Sequence, residues 1–158
     1  MKYKDKHLPD LPSAVLNIAC NDLLICTFDE RYGVNSSVWH LPKDYGTCEV
    51  CAAGAVMAKT FGISSSEFIT NSLEHFFSVD TMQKLVAIND FREGDFLNGF
   101  KNFSRLNTDR IESAIKELSR YYNDLGLKEL SDFYYKEQAK KFATEMMKVC
   151  GLMAGMGL

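Results

Sequence analysis

Apolar residues recur at helical spacing along most of the chain, and their rhythm predicts the elements. Val15, Leu16, Ala19, Cys20, Leu23 and Leu24 return at three- and four-residue steps. They predict a helix opened by Pro12 and Ser13, with Ser13 as N-cap, and running to about Phe28. From Thr47 to Gly62 only Glu49 and Lys59 are charged. Val50, Gly54, Met57 and Phe61 fall on one face of this stretch, and Cys51, Ala55 and Ala58 on another. A helix that is apolar or small nearly all round is a buried one, so 47–62 is expected to be the central helix.

Ser64 followed by Glu67 is a capping box, and Ile69, Leu73, Phe76 and Phe77 give the short amphipathic helix behind it. Asp80 and Gln83 repeat that pattern ahead of Met82, Leu85 and Val86, and Gly94 ends the helix. Phe96, Leu97, Phe100 and Phe103 suggest one or two aromatic-rich turns that belong to a core. Ile111, Ile115, Leu118, Tyr122 and Leu125 form the clearest stripe, in a helix from Thr108 to Leu125 closed by Gly126. A last helix from about Ser131 uses Phe133, Ala139, Phe142, Met146, Val149 and Cys150. The tail 151–158 is apolar but rich in glycine and methionine, so it either frays or packs on a partner chain.

Between the first two helices the rhythm fails. Gly33, Asn35, Ser36, Ser37, Pro42 and Gly46 punctuate Asp29 to Gly46 and exclude a long helix. Val34, Trp39 and Leu41 can anchor a short β element near 34–41. The expected fold is therefore all-α: one domain over 1–158, a bundle of five to six helices around 47–62, with at most that β element.

Composition narrows the function classes. Apolar residues are 46% and charged residues 25% of the 158, as in globular chains and unlike disordered ones. A net charge of −3 repels nucleic acid. The run Val50 to Ala58 is too short to span a bilayer, and the polar stretch 1–10 lacks the apolar core of a signal peptide. Five irregularly spaced cysteines do not form a secreted disulfide framework. The expected compartment is the cytoplasm.

Candidate chemistry gathers around the central stretch. His40, Cys48 and Cys51 can converge on Zn²⁺ if a fourth ligand comes from Cys20, Cys26, Cys150 or His75. Alternatively Cys48 or Cys51 is a thiol nucleophile activated by a helix start, with His40 as base. A third reading places a phosphate or nucleotide on free N–H groups after Gly46-Thr47, with Arg31, Trp39, His40 and Lys43 beside it. Against all three stands the plainer reading, in which the cysteines are small core residues and Trp39 pins a loop. The sequence leaves the cofactor unknown, zinc included.

Leu11-Pro12-x-Ala14, Arg31-Tyr32-x-Val34, Trp39-His40 and Cys48-x-Val50-Cys51-x-Ala53-Gly54-Ala55-Val56-Met57-Ala58 together resemble a family of small uncharacterised proteins encoded by phages and prophages. The resemblance covers roughly the first 60 residues and, weakly, Lys84 to Gly94. It implies a protein in the cytoplasm of a host cell and carries no catalytic role. In that context the expectation is a protein that binds a host protein or defence component without catalysis, and an apolar tail is compatible with a homo-oligomer. The alternatives are sequestration of a small anionic ligand by Arg31, Trp39, His40, Lys43, Thr47, Cys48 and Cys51, and a zinc- or cysteine-dependent activity.

Overall fold

The computed structural model describes residues 6–69, 71–89 and 108–158, with the backbone alone at 45 and 108–111. Among them are eight α-helices and a three-stranded sheet. The fold is mostly helical but not all-α. The expected aromatic turns at 96–103 and the stop at Gly94 lie outside the described residues.

Helix α1 spans Pro12–Phe28. Pro12 suits the first helical position, where its missing N–H is no loss. Ser13 does not cap, because it lies inside the first turn. Its N–H instead donates to the Leu158 carbonyl at 3.0 Å. The last helix, α8, spans Lys136–Gly155 and packs along α1 as the most extensive pair in the molecule. It starts later than the sequence rhythm suggested. A short α7 (Leu127–Leu130) and the non-helical stretch 132–135 precede it, and Gln138 turns back to accept from the Tyr134 and Tyr135 N–H groups.

The tail does not fray: helix α8 carries it to Gly155 and a defined stop follows. Gly157 takes φ +78°, Leu158 N–H donates to Met153 and Gly157 N–H to Ala154. This is a Schellman stop, and the hydrophobic contact that accompanies it is supplied by Met153 and Leu158, both buried.

Strands β1 (Tyr32–Val34), β2 (His40–Pro42) and β3 (Cys48–Val50) follow α1. The order is β1-β3-β2, with β1 parallel and β2 antiparallel to β3. The expected helical start at Thr47 is therefore a correction. Residues 48–50 alternate buried, half-buried, buried, a two-residue period, and only at Ala52 does helix α2 begin, running to Lys59. Gly62, at φ +70°, ends the turn after it.

Helix α3 (Ser65–Ile69) is opened by the expected box. Glu67 N–H donates to Ser64 Oγ at 3.2 Å, and Ser64 N–H to Glu67 Oε1 at 3.3 Å. Helix α4 (Leu73–Phe76) leads to α5 (Val79–Asn89), which is capped by Ser78 rather than Asp80. Asp80 instead pairs with Lys84 at 2.8 Å. Lys84 is fully buried, and its ammonium also reaches the Leu8 carbonyl and Asp10 at 3.1 and 3.0 Å. Three donors meet three acceptors, so the buried ammonium leaves no proton orphaned. Helix α6 (Thr108–Asp124) lays Ala114, Leu118 and Tyr122 into the core and contacts α7 and α8. No helix among the described residues is long and apolar enough to cross a membrane.

Candidate functional site

The sheet brings most of the sequence-predicted residues into one corner of the fold. In register, Tyr32 and Pro42 flank Cys48, and Val34 and His40 flank Val50. Paired residues share a face, so Cys48, Val50 and His40 turn to the same side. Glu49 takes the other face and pairs with Lys43 at 2.8 Å. Thr47 closes the β2–β3 turn by donating from its hydroxyl to the Asp44 carbonyl. Arg31 lies at the start of β1, but its guanidinium turns away to grip Asp29 through two contacts of 2.7 and 3.1 Å.

The start of α2 is occupied by the chain itself. Cys51 is the N-cap, and its sulfur accepts from Gly54 N–H at 3.4 Å. The Trp39 carbonyl accepts from Cys51 N–H at 3.3 Å. That carbonyl lies so close to Gly54 that a Cβ there would sit 1.5 Å from its oxygen. Glycine is the residue that permits this crossing. The positive end of the helix dipole thus faces a carbonyl and a sulfur, and Ala52, Ala53 and Gly54 are all buried. Thr47, five residues earlier, presents no free helix N–H groups to an anion.

His40 is buried, and its Nε2 makes a 2.9 Å contact with the Ile63 carbonyl, so Nε2 carries the proton and donates. Nδ1 has no partner among the described residues. Burial pushes the ring below its usual pKa, partly offset by the Ile63 carbonyl, and keeps it neutral at pH 7. Burial likewise raises the Cys48 thiol, and pushes Cys26 up to about 12. Protonated thiols are poor nucleophiles. All five cysteines are buried and none is in a disulfide, and no set of three or more His, Cys, Asp or Glu side chains is gathered as a metal site among the described residues. Beside Cys51, a crevice also lined by Ser36, Asn89 and Ser131 has room for about 10 Å³, the size of one water.

A second polar group was not anticipated. Asp22, on α1, is buried and accepts a short hydrogen bond from the Thr60 hydroxyl. Burial raises its carboxyl to about 6 against the opposing pull of Thr60 and Lys59. Lys59 sits 4.5 Å over the Tyr32 ring and pairs with Asp29 at 2.8 Å. Asp29, held by Arg31 and then Lys59, stays well below the usual carboxylate range. The signal for Asp22 was present: it falls seven residues after Val15, on the buried face.

The exposed apolar groups lie elsewhere. Phe28, at the end of α1, is 75% exposed and Tyr135, just before α8, is 70% exposed. Lys140 reaches back over the Phe28 ring at 4.6 Å, and Lys136 donates to the Asp29 carbonyl at 3.2 Å. Those contacts put the two ends on one edge. Ile25 and Tyr134 extend it, with Tyr134 hydroxyl meeting Ser37 Oγ at 3.2 Å. Ile18, Ile25 and Phe28 make α1 apolar beyond its core face, the one sequence clue to this edge.

No protein-family model, curated protein or solved structure matches the chain.

Proposed function

We propose that the protein works without catalysis, by binding another protein through the edge formed by Ile25, Phe28, Tyr134 and Tyr135. One observation carries this reading: two aromatic side chains stand open to solvent on one edge, while the cysteines and His40 are buried. Aromatic residues with a polar, charged surround are the composition of interface centres and rims, and Arg31, Lys136 and Lys140 provide that surround. The negative net charge favours a protein over a nucleic acid as partner. The resemblance to phage-borne proteins supports a partner in an infected or lysogenic cell, a host enzyme or a component of its defence.

The test is photocrosslinking in cells. A benzophenone side chain at Tyr135 is expected to capture one discrete protein, and the same group at Glu74 on α4 none. Phe28→Ala should abolish the adduct. Identical adducts from both positions, or no adduct from Tyr135, would contradict the proposal.

A further inference from the structure

One buried polar atom in the sheet corner has no partner among the described residues: Nδ1 of His40. The residue is 3% exposed, and its other ring nitrogen donates to the Ile63 carbonyl at 2.9 Å. Phe68 of α3 lies near parallel to the ring, with centroids 6.4 Å apart. Helix α3 is lightly held. None of its residues is buried, and β2, the strand that carries His40, is the element it chiefly packs against. So short a helix does not persist in water without such support.

Protonation changes what this arrangement has to satisfy. The neutral ring leaves a bare acceptor at Nδ1, whereas the charged ring puts a donor and a charge there with nothing to receive them. Phe68 does not compensate, because 6.4 Å exceeds the roughly 6 Å reach of a cation over an aromatic ring. The ionisable groups on the neighbouring elements are engaged elsewhere. Glu67 on α3 accepts from Ser64. Glu49 on β3 takes the opposite face with Lys43, Asp44 is exposed in the turn, and Lys59 on α2 pairs with Asp29. Cys48 is held as a neutral thiol by burial, and the Cys51 sulfur caps α2. Water is the acceptor left.

We propose that His40 is an acid-operated latch: a proton taken up at Nδ1 lifts α3 from β2 and admits water, while Ile63 stays bound as the pivot. The bond from Nε2 to the Ile63 carbonyl survives in both states, and the Ile63 side chain is buried. Gly62, at φ +70° and with nothing within 4 Å of a Cβ position, gives the chain freedom just before the pivot. The sign follows from burial, which lowers the ring's pKa. Closure is fully favoured above the ordinary histidine value of 6.5 and is lost as pH falls from there toward the lowered one.

The experiment follows hydrogen exchange of the full chain by NMR, amide by amide, between about pH 7.5 and pH 5, corrected for the intrinsic pH dependence of exchange. In the window below the ordinary histidine value, opening at the Phe68 amide should rise about tenfold per pH unit, as uptake of one proton requires. The Ile63 amide and those of α1 and α8 should keep their protection. His40→Gln retains a donor for Ile63 and cannot take up the proton, so its Phe68 amide should show no such rise. His7→Gln and His75→Gln should behave as wild type. If His40→Gln fails to fold, ring nitrogen shifts of the wild type decide: Nδ1 should be bare at pH 7 and gain its proton as the Phe68 amide opens. A Phe68 amide insensitive to pH, loss of protection in α1 and α8 together with α3, a rise that persists in His40→Gln, or a proton on Nδ1 at pH 7 would each overturn the latch.

Discussion

The sheet corner and the α1–α8 edge hold similar residues and use them in opposite ways. In the corner, the backbone of Trp39 and the side chains of His40, Cys48 and Cys51 are spent on the fold. One carbonyl seats α2, one ring holds Ile63, one sulfur caps a helix, and one thiol faces the core. At the edge, Phe28 and Tyr135 contribute little to the interior and face water. Residue type alone would have placed function in the corner. The burial of the corner's side chains and the exposure of the edge's aromatics are what favour the proposed edge instead.

The largest way to break this contrast is at Gly54. A Cβ there meets backbone rather than a flexible side chain, so the loop and α2 must separate. Gly54→Ala is expected to destabilise the protein by more than about 3 kcal/mol, read as a lower denaturant midpoint. A loss under about 1 kcal/mol would mean that the crossing is loose. Lys84→Ala removes the ammonium that ties Leu8 and Asp10 to α5 and empties a buried site. About 2 to 3 kcal/mol should be lost, below the cost of breaking a wholly buried pair because Asp10 and Asp80 keep contact with water.

Asp22 gives a smaller effect of opposite sign. Its folded pKa of about 6 lies above the ordinary carboxyl value of 3.8, so folding disfavours the ionised form. The unfolded chain loses this proton first, and native stability falls as pH rises from about 4 to 6. Asp22→Asn keeps an acceptor for Thr60 and removes the penalty. It should stabilise on the order of 2 kcal/mol above pH 6, after allowing for screening, with the gain vanishing below about pH 4. His40 opposes this in the wild type: its lowered pKa means stability is lost as pH falls below the usual histidine range. Comparing Asp22→Asn with wild type at each pH isolates the carboxyl. An equal gain at pH 4 and pH 8 would show that the carboxyl does not titrate this way.

The smallest stability effect belongs to the edge. Phe28→Ala and Tyr135→Ala should each change stability by less than about 0.5 kcal/mol, as surface substitutions do, while the photocrosslinked adduct disappears. A large loss of stability would make these aromatics part of the core after all.

The long elements were legible because their apolar spacing is long. Helix α1 ends at Phe28 and α6 starts at Thr108 as the rhythm requires, and the Ser64–Glu67 box forms. The misreadings share a cause, which is that partners distant in sequence decided the local structure. Residues 48–50 join a small-residue run that reads as helix, yet β1 and β2 claim them for a sheet. Gly54 looked like one more small residue on a helix face, and its role appears only when the Trp39 carbonyl arrives beside it. The sheet sets His40 beside Val50 and the Trp39 carbonyl on Cys51 N–H. Their engagement with Gly54, Ile63 and the core could not be read from spacing.

The most direct test of the closed corner is thiol alkylation of the folded protein at pH 7.5, resolved cysteine by cysteine with mass spectrometry. Cys48 and Cys51 are predicted to react no faster than Cys26, at the rate of global unfolding. If either reacts as quickly as in an unfolded peptide while the helical signal is intact, the corner is open and chemically available, and the contrast with the edge fails.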